Sequence, residues 1–116
     1  MKDYKIIFKV DEEEYSGIIN LNAMETIQEE YGSIQEWGKL TDRKSGEVNL
    51  KALKFGFRAM MNEAIEIENE ENGTNKPLLT LKQVGRIISR AGIEKSALTL
   101  NNAVIEATKE DNPKNA

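Results

Sequence analysis

The sequence predicts an α+β fold, an N-terminal β-hairpin packed on a bundle of about five helices. Three observations carry the prediction. Large apolar residues alternate near the N-terminus, helix-capping pairs recur along the chain, and Leu50 to Ile67 holds the longest helical pattern. In that stretch Leu50, Leu53, Phe57, Met60 and Ala64 recur at spacings of three and four. At about 100° per residue they line one helix face. Asn49 stands where a side-chain oxygen caps the first turn. Burying each large side chain is worth roughly 1.5–3 kcal/mol, and no other segment offers as much. This is the helix against which the rest packs.

Tyr4, Ile6, Phe8 and Val10 alternate with Lys5, Ile7 and Lys9, the period of a half-buried strand. Asp11-Glu12-Glu13-Glu14 reads as an exposed loop of about four residues. Tyr15 to Ile19 returns as a strand with Tyr15, Gly17 and Ile19 on one side. A lone hairpin is marginal in water, so one face must lie on helices. Asn22 caps the first helix, with Glu25 as its reciprocal partner. Ala23, Met24, Ile27 and Tyr31 share a face there, and Gly32 ends it. Ser33 and Glu36 repeat the device for a short helix carrying Ile34, Trp37 and Leu40, and Thr41 to Val48 is a polar loop.

The central helix runs out in the acidic stretch Glu66 to Gly73, followed by a mobile loop to Pro77. Thr80, with Gln83 at the box position, opens a helix whose apolar face is Leu81, Val84, Ile87, Ile88 and Ala91. Gly92 suits its left-handed end. A last helix spans Glu94 to Lys109, with Ala97, Leu100, Val104 and Ala107 inward. Residues 1–109 form one domain, and 110–116, polar and containing Pro113, form a disordered tail.

Composition excludes much chemistry. With no cysteine and no histidine, thiolate and imidazole metal sites, disulfides, cysteine nucleophiles and Ser-His triads all fall away. There is no glycine-rich phosphate loop and no G-x-S-x-G elbow. The carboxylates sit in no recognisable catalytic setting, so no enzyme, cofactor or metal is expected. Glu68-x-Glu70-x-Asn72-Gly73 mimics the opening of a calcium loop, but Leu79 stands where the bidentate glutamate belongs. A net charge of −4 and a pI near 5.0 speak against non-specific nucleic-acid binding. No apolar run reaches the 18 or so residues of a membrane span, and no leader precedes the first strand, which points to the cytoplasm.

Two basic stripes and one aromatic residue are the candidate partner-binding residues. Lys82, Arg86 and Arg90 recur every four residues opposite the apolar face of their helix. Lys51, Lys54 and Arg58 lie beside the apolar face of the central helix. They are either solvated faces or a surface for an acidic partner, including a second copy with its Asp11–Glu14 turn or Glu66–Glu71 run. Phe55 projects almost opposite Leu53, Phe57 and Met60, alongside Ala52 and Ala59. Either the helix is buried nearly all round, with Gly56 admitting a close neighbour, or Phe55 belongs to a second apolar surface for another chain. Thr80 to Thr108 also has the outline of a helix-turn-helix, with Ile88 and Leu98 at packing positions and Lys95, Ser96, Thr99, Asn101 and Asn102 left to read DNA.

The ordered segments add a resemblance. Tyr15-Ser-Gly-Ile-Ile-Asn-Leu-Asn-Ala-Met-Glu-Thr-Ile-Gln-Glu-Glu-Tyr-Gly-Ser-Ile-Gln-Glu-Trp37 is similar to the opening of the tail assembly chaperones of long-tailed phages and prophages. The likeness continues through the apolar helix Leu50–Ala64 and the Thr80-Leu-Lys-Gln-Val-Gly-Arg-Ile-Ile88 helix, so it covers most of the chain in order. Gene-transfer-agent tail proteins resemble it more loosely, since they place a tryptophan where this chain has Phe55-Gly56-Phe57. The resemblance implies a non-catalytic homo-oligomer in the bacterial host cytoplasm. It would coat the tape measure protein before the tail tube polymerises, with the major tail tube protein as a further partner. It implies no nucleic acid and no membrane, and in many relatives a longer frameshifted form. Some relatives carry a tail tube label, which keeps a structural role open.

Overall fold

The computed structural model describes residues 2–42, 44 and 46–109; the tail expected at 110–116 lies outside them. The fold is α+β. Two antiparallel strands, β1 (Tyr4–Val10) and β2 (Glu13–Ile19), precede α1 (Leu21–Tyr31), α2 (Ile34–Thr41), α3 (Leu50–Asn72), α4 (Leu81–Ala91) and α5 (Ile93–Lys109).

The strands pair with Tyr4 opposite Ile19 and Val10 opposite Glu13. The connection is therefore Asp11-Glu12 alone, two residues rather than the four expected. Glu13 and Glu14 extend instead of turning, because Glu14 faces Lys9 across the ladder. Asp11 takes φ 56°, a conformation aspartate tolerates better than most residues. Ile6, Val10 and Ile19 turn into the core, and Phe8 stacks on Tyr15 while meeting Phe57 edge-on at 5.5 Å.

The cap of α1 is Asn20, not Asn22. Its Oδ1 accepts from the Ala23 N–H at 3.1 Å, which starts the helix two residues early and leaves Leu21 exposed. Ser33 caps α2 through the Glu36 N–H as expected. The inward residues of α2 are Trp37 and Thr41 rather than Leu40, which is 37% exposed. Thr41 is buried because its hydroxyl donates back to the carbonyls of Trp37 and Gly38, removing its polarity from the interior.

Helix α3 is the axis. Asn49 caps it, and Leu53, Phe57 and Met60 are buried, although Leu50, expected inward, is half exposed. Ala52, Phe55 and Met61 are buried as well, so the helix is covered on more than one side. Trp37 reaches it across Gly56, donating its indole N–H to the Ala52 carbonyl at 2.9 Å. A Cβ on Gly56 would overlap that indole.

The helix runs five residues past Ile67, to Asn72, and the segment after it is tied down. Asn69 Oδ1 accepts from the Thr74 hydroxyl and the Lys76 N–H, and its Nδ2 donates to the Lys76 carbonyl. Two turns earlier, Asn62 exchanges a pair of bonds with the Leu79 backbone, accepting at 2.8 Å and donating at 3.1 Å. The expected mobile loop is thus a strap along α3. Asn62→Ala leaves a partly buried N–H and C=O without partners and is expected to cost about 1–3 kcal/mol. Limited proteolysis should then cut between Gly73 and Thr80 before anywhere else in the folded region; an unchanged cleavage pattern would show that the strap holds without Asn62.

Thr80 and Gln83 form the full capping box of α4, with both reciprocal bonds in place. Gly92, at φ 100°, turns the chain into α5. Asn101 of α5 donates to the Thr41 carbonyl at 3.1 Å, fixing the last helix to the end of α2.

Candidate functional site

The N-terminal turns of α3 lie beside α4, and a groove of about 360 Å³ opens between them. Its floor is Leu53, Gly85 and Ile88, and its rim carries Leu50 at 53% and Ile93 at 44% exposure. Lys54 comes from one wall, Lys82 and Arg86 from the other. One residue of the α3 stripe and two of the α4 stripe, some thirty residues apart in the chain, therefore meet on one concave surface. Gly85 permits the approach: a Cβ there would stand 3.1 Å from Lys54 Cδ, so the lysine stem crosses α4 over the glycine.

Among the described residues, no carboxylate forms an ion pair with these cations. Ion pairs among the described residues join Lys39 to Glu36, Lys76 to Glu68 and Arg90 to Glu13, and Lys51, Lys54, Lys82 and Arg86 take part in none of these. The positive end of the α3 dipole adds to their field. The far end of α3 carries Glu66, Glu68, Glu70 and Glu71. At 1.5 Å per residue, about 24 Å of helix separates the two charges. The molecule has a basic end and an acidic end.

The other sequence candidates have different places. Lys51 is exposed on the same end of α3 but outside the groove lining. Arg58 faces the α1 side, its guanidinium carbon 5.2 Å from the centre of the Phe55 ring, a cation–π contact. Phe55 itself is only 8% exposed and meets Tyr31 edge-on at 5.5 Å. Its two readings separate here: it is interior packing, not a second free apolar face.

Arg90 leaves the basic stripe. Its Nη2 donates to the Tyr15 hydroxyl at 2.8 Å, and its Nη1 lies 3.7 Å from Glu13. Tyr15 in turn donates to Glu13, and that bond, with burial, lifts the phenol above its ordinary pKa of 10.0 against the opposing pull of Arg90. This arrangement fastens the hairpin tip to α4. The helix-turn-helix packing expected of Leu98 is not found, since Leu98 is 63% exposed while Ile88 is buried.

Sequence reasoning missed the apolar rim. Period places Leu50 inward and Ile93 falls in the α4–α5 turn, so nothing local marks them as lips of a groove. Among the described residues no helix is long and apolar enough to cross a membrane. No protein family, curated protein or solved structure matches the chain.

Proposed function

We propose that the protein is a non-catalytic assembly chaperone of a long-tailed phage or prophage, binding the tape measure protein while the tail is built in the bacterial host cytoplasm. The observation that carries the reading is the α3–α4 groove. Three cations without carboxylate partners among the described residues surround an apolar floor, and two exposed apolar residues form its lips. Such a surface suits an amphipathic helical segment that sets apolar residues on Leu53 and Ile88 and acidic ones toward Lys54, Lys82 and Arg86. Affinity from apolar contact and orientation from charge would let one groove hold many related segments of a long helical client. The resemblance of the ordered segments to tail assembly chaperones supplies the client's identity. The major tail tube protein is the second partner on this reading, and further copies of the chain assemble along the client.

The test is co-expression with the tape measure protein of the same gene cluster. The expected result is a severalfold rise in its soluble fraction, with both chains co-purifying. Should solubility stay unchanged while this chain is folded, and the chain be found in purified mature particles, a structural tail role replaces the chaperone role.

A further inference from the structure

The most exposed apolar residues of the last two helices lie elsewhere, on the outer face of α5. Leu98 is 63% and Ile105 59% exposed, two turns apart on one stripe, beside a groove of about 750 Å³ between α5 and the chain following α2. Nothing in the α3–α4 groove accounts for them.

The stripe is self-complementary when read in the opposite direction. A second α5 laid antiparallel, with a two-fold axis between Asn101 and Asn102, sets Leu98 against the partner's Ile105 and Ile105 against the partner's Leu98. At the axis, Asn101 meets the partner's Asn102. Both amide N–H groups of Asn101 are directed at the Ala97 and Thr41 carbonyls, which leaves its oxygen to accept from the partner's Asn102. On one flank of the stripe Lys95 comes within a turn of the partner's Glu106, and the symmetry makes this ion pair twice. Both are exposed, and among the described residues neither belongs to an ion pair. Apolar, amide and charged positions all match in the same register, the condition for an isologous contact.

The geometry points to α5 as a two-fold docking surface for a second copy of this chain. The two-fold pairing is independent of what the α3–α4 groove binds. The contact is small, four apolar side chains and two ion pairs, so it belongs to the class of weak, concentration-dependent dimers.

Sedimentation equilibrium between roughly 10 and 500 µM tests it, a range suited to weak association. The mean mass is expected to rise from 13.1 kDa toward twice that value. Leu98→Glu is expected to weaken dimerisation about tenfold or more, because each change enters a two-fold interface twice. Circular dichroism should stay unchanged, since the side chain is already exposed. Combining Leu98→Glu with Ile105→Lys should restore the dimer, each new acid facing a new base across the axis. A variant carrying Lys82→Glu and Arg86→Glu should dimerise like the parent. The inference is overturned if the parent chain stays monomeric throughout, or if Leu98→Glu leaves the association intact. It is likewise overturned if the double variant fails to recover, or if the groove variant alone abolishes the dimer. Loss of tape-measure co-purification in Leu98→Glu with a monomeric parent would assign the face to that client instead.

Discussion

Trp37→Ala is expected to lower the unfolding free energy by about 3–5 kcal/mol, a large share of the 5–15 kcal/mol typical of a domain. Trp37 is 1% exposed and fills the notch left by Gly56, where a Cβ would collide with its indole. Truncation leaves a cavity between α2 and α3, and α2 is only eight residues long. It also removes the indole bond to Ala52 that sets how α2 crosses α3. Trp37→Phe keeps most of the volume and loses that bond, so about half the effect is expected. Trp37 is the only tryptophan, so urea denaturation must be followed by far-ultraviolet circular dichroism. A midpoint for Trp37→Ala close to that of the parent chain would mean that α2 does not hold α3 through this contact.

The second large effect is on binding. Lys82→Glu combined with Arg86→Glu is expected to weaken tape-measure association by about 30- to 100-fold, from roughly 2–3 kcal/mol of lost attraction and new repulsion. Both residues are exposed and form no ion pair among the described residues, so thermal stability should be preserved. Raising salt should weaken the parent complex and leave the variant nearly insensitive. Arg90→Glu separates the roles within the stripe. It breaks the contacts to Tyr15 and Glu13, so stability should fall while binding survives. Equal binding by the Lys82/Arg86 variant at low salt would remove the groove from the mechanism.

How far the sequence foretold these features depends on how local each one is. The strands, the Asn49, Ser33 and Thr80 caps and the apolar faces of α1, α4 and α5 arise from neighbours within a few residues, and all were legible. The misplacements have physical causes. Asn20 and Asn22 are the same residue type two positions apart, so type and spacing cannot choose between them, and in the fold it is Asn20 Oδ1 that accepts from the Ala23 N–H. Glu66 to Asn72 looked like a helix running out because its residues are polar, yet glutamate is a good helix former. The ties from Asn69 to the strap add support to those turns.

Phe55 and Arg90 show the limit more sharply. Period places Phe55 opposite the core face, but α1 brings Tyr31 onto that side. Arg90 has the spacing of Lys82 and Arg86, but its partner Tyr15 lies seventy-five residues away in the chain. The groove itself was half visible. The spacing shows two basic stripes, while the meeting of Lys54 with Lys82 and Arg86 requires the approach of α4 to α3 over Gly85.

The central position of α3 has a consequence for synthesis. The hairpin, α1 and α2 all leave the ribosome before the helix they pack on, since α3 begins at Leu50. Ile6, Ile19, Ile27 and Trp37 therefore lack α3, the main surface they close against, during that interval. Growing chains that stop short of α3 carry their apolar faces into the cell and depend on holdases or immediate continuation. Once Met60 and Met61 emerge, the N-terminal half can collapse onto them in a single step, before α4 and α5 exist. A pause in translation before Leu50 would be harmful, and one after Asn72 far less so.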